Sequence, residues 1–395
     1  MHKSILSKII LSLFLISQIG LQANCDCTTR SWVDAEYLLW QIKEAPEPVP
    51  LAFSAPTTGS LIPFPILGDP GTEVVLGGHN FQPPIRSGGR FTVGVWFDDE
   101  HELGTEISYL FLANGSKSQS VASSGLPGSQ FLLIPFFNVE TLAEDSTGLA
   151  IPLGLIPGLA FAGSAVAKVS NYMQGAEWNV LNTYSCCEGF DLKLLLGFRY
   201  WNFNETFTFK TSQPNVVAPL DTWLTEDKFK TNNQFYGGQL GLQFDYQCDC
   251  VFLNVRGKVA LGGMCQTLTI DGILVTNDFS GFGSTFETFD SGYFAQSTNS
   301  GHHNHTSFSV IPEIDVKLGY QITPQWSVQV GYTFMYASNV MRASNQLDSN
   351  INPSQAPAIN AIPSTVLVGT PAPLVLNKTS SFWAQGLDVG VSFDF

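Results

Sequence analysis

Apolar and polar residues alternate along the last ten residues of the chain, GLDVGVSFDF. The apolar positions are Leu387, Val389, Val391, Phe393 and Phe395, and Asp, Gly and Ser residues stand between them. A period of two is typical of a β-strand whose two faces meet different surroundings. It fits a soluble sheet with its apolar face on a core, and equally a lipid-spanning barrel with its apolar face on the bilayer.

The same alternation recurs along the chain, in segments close to the ~9–11 residues that a tilted strand needs to cross a bilayer. The clearest segments are 90–98, 191–202, 237–246, 251–263, 310–321 and 326–336. In a soluble sandwich we would expect shorter strands at closer spacing. The recurrence therefore favours a transmembrane antiparallel β-barrel.

Composition supports the barrel. Hydrophobic residues make up 44% of the chain and charged residues only 13%, against about 25% charged residues in typical soluble proteins. Beyond the N-terminus there is no apolar run of about 18 residues, so helical membrane spans are not expected. The formal net charge of −15 makes nucleic acid an improbable partner, because phosphate binding needs clustered Lys and Arg.

The N-terminus predicts the compartment. Lys3 and Lys8 form a positive start before a short apolar stretch, which ends before the small residue Ala23, as in a secretory signal peptide. An N-terminal anchor helix and, through Cys25, a lipoprotein are the alternatives. We therefore expect a signal peptide over 1–23 and a single outer-membrane barrel domain over 24–395.

Loop lengths predict the orientation. Short turns (SCCEG, QCDC and ITPQ) alternate with long spans at 43–88, 114–163, 211–230, 276–305 and 342–380. Short periplasmic turns and long extracellular loops are typical of outer-membrane barrels. With both termini in the periplasm the strand count must be even. Ten strands are clear, and the apolar segment 131–139 with a weak partner in 140–163 favours twelve, within a range of 10–14.

Charged residues of both signs fall at positions expected to face the lumen, where they can shape the field felt by an ion. A purely structural role is the alternative. The candidates for lining a pore are Glu36, Arg90, Glu106, Lys193, Arg199, Arg256, Lys258, Glu313, Asp315, Lys317 and Asp388.

Six of the seven cysteines fall at the mature N-terminus and in two short turns, so the topology predicts them on one periplasmic rim. They are Cys25, Cys27, Cys186, Cys187, Cys248 and Cys250. Exported proteins meet oxidising conditions. We therefore expect disulfides between these clusters, within the barrel or to neighbouring envelope proteins or a second copy, with metal binding and free thiols as alternatives. The odd count leaves one thiol unpaired, expected at Cys265.

Residues for catalysis or metal binding do not form recognisable motifs. No nucleophile with a base and an orienting group stands out, so no enzymatic activity is expected. The histidines of GHHNH (302–305) lie in a stretch that suggests a solvated loop rather than a metal site. We expect neither cofactor nor metal.

The chain also resembles the planctomycete-type β-barrel porins known as beta-barrel porin-7. The segments that carry this resemblance are 32–40, 66–78, 86–98, 134–138, 192–205, 227–242, 310–320, 330–352 and 381–395. Its cysteine clusters give a weaker, compositional likeness to the major outer membrane porins of chlamydia-like envelopes. The porin-7 resemblance implies an outer-membrane barrel of porin type, with no catalytic residues to transfer.

These observations predict a porin-type channel for passive diffusion of ions and small hydrophilic solutes, with mild cation preference. The alternative is a structural or surface-interaction barrel whose lumen is plugged by its own loops. Expected partners are outer-membrane lipid and the barrel-assembly machinery, because Phe395 resembles the terminal aromatic residue that this machinery recognises.

Overall fold

The computed structural model of the protein describes residues 30–47, 49–58, 62–187, 189–216, 222–277, 286–360, 364 and 366–395, without the side chains of residues 185–187, 277 and 286. The predicted signal peptide and two of the candidate cysteines, Cys25 and Cys27, lie outside this part of the chain. No helix within the described ranges has the length and apolar character that crossing a membrane would need.

Seventeen strands and two 3₁₀ helices (Ser344–Gln346 and Pro353–Gln355) make up the described regular structure. The strands are β1 (Ser31–Ile42), β2 (Pro50–Ala55), β3 (Glu73–Gly77), β4 (Arg86–Trp96), β5 (Leu103–Ser123), β6 (Phe131–Asn138), β7 (Ala143–Ile156), β8 (Leu159–Phe161), β9 (Gly163–Cys187), β10 (Phe190–Pro214), β11 (Thr222–Cys248), β12 (Val251–Asn277), β13 (Phe286–Phe289), β14 (Gly301–Gln321), β15 (Trp326–Met341), β16 (Asn350–Ile351) and β17 (Thr379–Asp394).

Ten strands form a ring of antiparallel pairs. The order around it is β1, β4, β5, β9, β10, β11, β12, β14, β15 and β17, and β17 pairs again with β1. Neighbours in the ring are neighbours in sequence apart from the inserted strands, as in an up-and-down arrangement. The predicted all-β class and the ten clear strands are confirmed.

Side chains on the ring strands alternate as predicted. Along β11, Tyr236, Leu240, Leu242, Phe244 and Tyr246 point outward and are 42–57% exposed, while the inward residues 237, 239, 241 and 243 are buried. This apolar face is eleven residues long, and at ~3.3 Å per residue and a tilt of about 40° it covers the ~25 Å height of a lipid-facing band. Tyr236 and Tyr246 therefore stand near its two boundaries.

The ring contains ten strands and not the twelve that the sequence favoured. The segment that suggested extra strands, β6, instead joins a second sheet of order β3, β2, β6, β7 and β8, with the short β16 beside β6. Seven of its eight residues are buried. Its continuous apolar run reflects a strand covered on both faces rather than a lipid-facing one. We call this second sheet the cap sheet.

The cap sheet packs against one end of the ring. Leu132, Ile134 and Phe136 of β6 share a buried cluster with inward residues of the ring, including Phe207 and Phe229. Those ring residues lie in the extensions of β9–β12, which run for 25–27 residues. The predicted loops 211–230 and 276–305 are therefore partly strand, because cross-strand pairing continues beyond the lipid-facing band.

The chain end lies at the opposite end of the ring. The backbone of Phe395 exchanges two hydrogen bonds with that of Ser31, of 2.8 and 3.0 Å. Trp326, which follows the short turn ITPQ, stacks on Phe393 at 4.7 Å between ring centroids. The short turns therefore share the rim that carries Phe395, as the loop lengths predicted.

Candidate functional site

At mid-height the lumen holds a group of ion pairs, some between neighbouring strands and two between strands that are not adjacent, Arg199–Glu313 and Lys258–Glu177. Glu313 of β14 accepts from Arg199 of β10 at 2.8 Å and from Lys258 of β12 at 3.0 Å. Glu177 of β9 also pairs with Arg199 and lies 2.7 Å from Lys258. Two carboxylates and two cations thus compensate one another in a place where an isolated charge would be costly to bury.

A second group of charges lies beside the first. The guanidinium of Arg90 contacts Asp315 at 2.8 Å and Glu36 at 3.2 Å, and it lies 3.9 Å from Glu313. Lys317 pairs with Glu36. Arg90 stands on β4 and Asp315 on β14, four positions away around the ring, so the contact spans the lumen.

Three further contacts extend this network. Arg256 of β12 reaches Glu106 of β5 at 2.8 Å, again across the ring. Asp388 accepts from the indole of Trp40 at 2.6 Å. Nearer the rim that carries Phe395, Lys193 pairs with Asp245 at 2.8 Å.

All eleven candidate residues lie on inward faces of ring strands, and ten of them join at mid-height in what we call the charged belt. The belt consists of Glu36, Arg90, Glu106, Glu177, Arg199, Arg256, Lys258, Glu313, Asp315, Lys317 and Asp388. Lys193 lies below it. The sequence reasoning missed Glu177 and Asp245. Glu177 was identifiable, because it alternates with outward Trp178 along β9.

Space inside the ring changes sharply along its axis. Below the belt, a vestibule of about 350 Å³ opens at the rim that carries Phe395, and Asp34, Lys193 and Arg256 are among its lining residues. Within the belt and just above it are cavities of about 30 and 20 Å³. Each of these two has room for one or two water molecules. The described lumen therefore narrows sharply at the charged belt.

Above the belt the lumen is filled by apolar side chains, which we call the apolar plug. It is contributed by nine of the ten ring strands and consists of Leu38, Trp40, Ile42, Leu112, Met173, Trp201, Phe203, Phe235, Ala260, Met264, Ile311, Met335, Ala337, Val340, Phe382 and Ala384. The rings of Phe203 and Phe382 pack in a tilted arrangement with their centroids 4.5 Å apart, and both are fully buried. The plug separates the belt from the cap sheet.

A buried ion pair ties the segment after β15 to the ring wall. The guanidinium of Arg342 donates to the carboxylate of Glu205 at 2.7 and 3.1 Å, and both side chains are completely buried. Arg342 also lies over the rings of Phe203 and Phe382. In the same region, Asp227 accepts three backbone N–H groups of residues 293–295. These contacts hold the segments at the cap-sheet end in the mouth of the ring.

One buried carboxyl group in this region has no hydrogen-bond partner among the described residues. Glu47 lies between β1 and β2 and is 2% exposed, and neither of its carboxyl oxygens makes a hydrogen bond within that part of the chain. Burial raises the pKa of Glu47 from 4.5 to about 8, because the charged form loses its hydration. The group is therefore neutral at neutral pH.

We expect the Glu47 carboxyl group to make stability depend on pH. The folded state holds a proton that the unfolded state has released, so stability falls as pH rises from about 4.5 to about 8. Glu47→Gln should flatten the dependence of the free energy of unfolding over this window, and Glu44→Gln, three residues earlier and partly exposed, should leave it unchanged. Equal slopes for the wild type and Glu47→Gln would contradict this.

The structure describes three cysteine side chains, those of Cys248, Cys250 and Cys265, and all three are unpaired. In the paired strands, Cys187 lies opposite Phe190. Phe190 in turn lies opposite Tyr246, which precedes Cys248 by two residues. The turns holding Cys186, Cys187, Cys248 and Cys250 therefore belong to neighbouring hairpins of one rim. The side chains of Cys186 and Cys187 lie outside the described atoms, so the predicted disulfides stay a prediction.

The histidine cluster does not lie in a loop as expected from the sequence. His302, His303 and His305 lie at the start of β14. The ring of His302 contacts the hydroxyl group of Thr269 at 2.9 Å. Pairing with β12 extends the strand into this polar stretch. In the described ranges, no three His, Cys, Asp or Glu side chains come together as a metal site.

A ring of ten antiparallel strands with an apolar outer face and a charged interior defines a β-barrel of the outer-membrane class. The chain belongs to the family "Putative beta barrel porin-7 (BBP7)", whose model matches residues 32–395. The resemblance inferred from the sequence is thereby confirmed. The family is one of porin-like barrels, and it places the chain in the outer membrane of a Gram-negative-type envelope.

Solved structures with some similarity are also outer-membrane barrels. The outer membrane protease OmpT of Escherichia coli has a TM-score of 0.42 and 9% identity, covering 95% of this chain and 99% of that one. A FadL homologue of Pseudomonas aeruginosa has a TM-score of 0.22 and 8% identity, covering 93% and 90%. The CymD monoaromatic hydrocarbon channel has a TM-score of 0.19 and 6% identity, covering 93% and 89%. No curated protein matches the chain.

Proposed function

We propose that this barrel is a narrow porin-type channel for ions and small hydrophilic solutes, and that the structure represents its constricted state. The observation that carries the proposal is the charged belt, which leads directly from the open vestibule. A lumen serving only as a packed core would be filled more stably by apolar side chains than by ion pairs. Retaining eleven charged groups across the lumen is consistent with a path for hydrated solutes.

The belt also suggests a mild cation preference. It holds six carboxylates (Glu36, Glu106, Glu177, Glu313, Asp315 and Asp388) and five cations (Arg90, Arg199, Arg256, Lys258 and Lys317). The opposite charges of each ion pair cancel most of the electric field of the belt, so the remaining preference for cations is small. Charged rings at a constriction are a common source of ion selectivity.

Opening would require the apolar plug to part. Apolar constrictions exclude ions by excluding water, and the plug side chains sit directly above the belt. In this mechanism the ion pairs hold the walls together in the constricted state, and movement of the extracellular segments away from the mouth gives the plug room to separate. No enzymatic activity is part of the proposal.

Conductance of the purified full-length protein in planar bilayers tests the proposal. We expect low conductance with brief openings for the wild type, and larger or longer openings for Phe203→Ala, which removes a fully buried ring from the plug. The matched control is Phe198→Ala on the same strand, whose ring is 45% exposed on the outer face. Silence of both the wild type and Phe203→Ala, with folded protein in the bilayer, would contradict a channel function.

The second candidate function is a structural or surface-interaction barrel without transport. The observation that favours it is the combination of apolar plug and cap sheet, which together fill the extracellular half of the ring. For such a barrel, Phe203→Ala should lower stability, by about 3–5 kcal/mol for a buried aromatic residue, without any change in conductance.

We also propose that the rim cysteines form disulfides, within the chain or to an envelope partner or second copy. The support is the placement of two cysteine-bearing turns on neighbouring hairpins and the oxidising compartment. Thiol labelling of protein from native envelopes, with and without reductant, tests this. We expect several thiols to react only after reduction, whereas labelling of all seven without reductant would rule the disulfides out.

A further inference from the structure

Four lysines form an exposed patch on the outer face of three adjacent strands. They are Lys168 of β9, Lys210 of β10, and Lys228 and Lys230 of β11. Thr208 lies directly between Lys168 and Lys228 in the paired strands, and Thr206 lies beside Lys230. They stand together on the outer face of a chain that has only 18 Lys and Arg and a net charge of −15. We call this group the lysine patch.

The acidic neighbours leave most of this charge uncompensated. Lys210 pairs with Glu226 at 2.8 Å. Asp271 of β12 stands opposite Lys228, but their charged groups are not within ion-pair distance. Lys168, Lys228 and Lys230 have no ion-pair partner among the described residues. The patch is therefore positive and free to bind an anion.

The position of the patch relative to the bilayer restricts its ligand. The rings of Tyr200 and Tyr236 pack in a tilted arrangement, 5.2 Å between centroids, at the upper boundary of the lipid-facing band. Lys230 precedes Tyr236 by six residues along β11 and lies farther from the bilayer, by ~20 Å of strand and about 15 Å along the membrane normal at the usual tilt. The headgroup layer of a bilayer is only ~5–8 Å thick on each side, so a plain phospholipid phosphate would lie below the patch.

The surface between the aromatic residues and the lysines is rich in side-chain amides. Asn204, Asn232 and Gln234 lie on this outer face, where Asn202 bridges Asn204 and Asn232 through bonds of 2.6 Å. Amides offer both donors and acceptors, which suits the hydroxyl groups of sugars. Going outward from the bilayer, the wall therefore presents apolar side chains, then amides, then lysines.

We propose that the lysine patch and the amides below it form a docking site for the phosphorylated saccharide headgroup of an outer-leaflet glycolipid. The acyl chains lie on the apolar wall around Leu196 and Leu240, the sugars contact the amides, and the phosphates pair with the lysines. Basic clusters bind anionic headgroups in this way at other membrane surfaces. The site is independent of whether the lumen conducts.

The test measures binding of a fluorescently labelled rough-type lipopolysaccharide with a phosphorylated inner core to the full-length protein in detergent. At about 1 kcal/mol, or fivefold, for each lysine, the double variant K228Q/K230Q should bind roughly 25-fold more weakly. The matched control is K117Q/K378Q. Both of its lysines are exposed outside the patch. Lys117 pairs across the strands with the inward residue Val169, so it lies on the face of the sheet that does not carry the patch.

Two further comparisons make the test specific. The same glycolipid after chemical removal of its phosphates should bind the wild type and K228Q/K230Q equally. Phosphatidylglycerol should compete poorly, because its phosphate lies too close to the bilayer. Wild-type affinity in K228Q/K230Q would overturn the proposal, as would competition by phosphatidylglycerol as strong as that of the glycolipid itself.

Discussion

Replacing Glu205 with Gln is expected to lower the free energy of unfolding by about 3–5 kcal/mol, because it leaves the buried guanidinium of Arg342 without a counter-ion. Arg342 and Glu205 are completely buried, and their side chains meet through contacts of 2.7 and 3.1 Å. The same carboxylate accepts the backbone N–H of Ala343 at 2.9 Å. Gln keeps the shape of Glu, so the variant isolates the charge.

The loss should also free the segments held in the mouth of the ring at the cap-sheet end. Arg342 begins the chain segment that follows β15, and its guanidinium donates to the backbone carbonyl of Glu44 at 3.1 Å, so one side chain connects two parts of the barrel mouth. We expect limited proteolysis of Glu205→Gln to cut between β15 and β17 under conditions in which the wild type resists. If the barrel conducts, this variant should also open more often.

The matched control is Glu226→Gln on β11. Glu226 pairs with Lys210 at 2.8 Å, a distance close to that of the buried pair, but both side chains are partly exposed to solvent. Surface pairs contribute at most about 1 kcal/mol. Unfolding of the variants in urea, in one detergent, measures the difference. A loss for Glu205→Gln as small as that for Glu226→Gln would show that the buried pair does not hold the mouth.

The second large effect is expected from the double variant E313Q/D315N, which should change the ion preference of the barrel from cations toward anions. The wild-type belt has one carboxylate more than it has cations, and removing two carboxylates leaves one cation in excess. Of the belt carboxylates, Glu313 is the strongest choice for substitution, because Arg199 and Lys258 both contact it and Arg90 is nearby. Without it these cations face the lumen with less compensation.

Reversal potentials under a salt gradient measure this change. They should shift toward the anion equilibrium potential, and the shift should shrink at high ionic strength as salt screens the belt. The control E140Q/E144Q removes the same formal charge from exposed residues around the β6–β7 turn, outside the lumen. If E313Q/D315N and E140Q/E144Q give the same reversal potential, the belt does not select ions.

The wall of the barrel could be predicted from the local alternation of apolar and polar residues. Segments such as 237–246 and 326–336 alternate because one face meets lipid and the other does not, and every ring strand identified from the sequence occurs in the structure. The inward placement of all eleven candidate residues follows from the same period of two. The same alternation excludes a register shift by one residue, since that shift would turn each apolar face inward.

Two predictions about the strands were wrong for a physical reason. A ring of twelve was favoured because β6 is apolar enough for a membrane strand, yet β6 is buried in the cap sheet. Apolar character alone does not distinguish lipid from a protein core. Likewise, polar stretches such as 211–214 and 222–230 read as loops, although pairing between β10 and β11 continues through them.

The sequence by itself determined the outer face of the barrel and the membrane of this protein, because both depend on contrasts between neighbouring residues. Only the tertiary structure decided what fills the lumen. Arg90 meets Asp315 across 225 positions of sequence, and Arg342 meets Glu205 across 137. Such partners are chosen by where the ring brings distant strands together, and by the cost of leaving a buried charge alone.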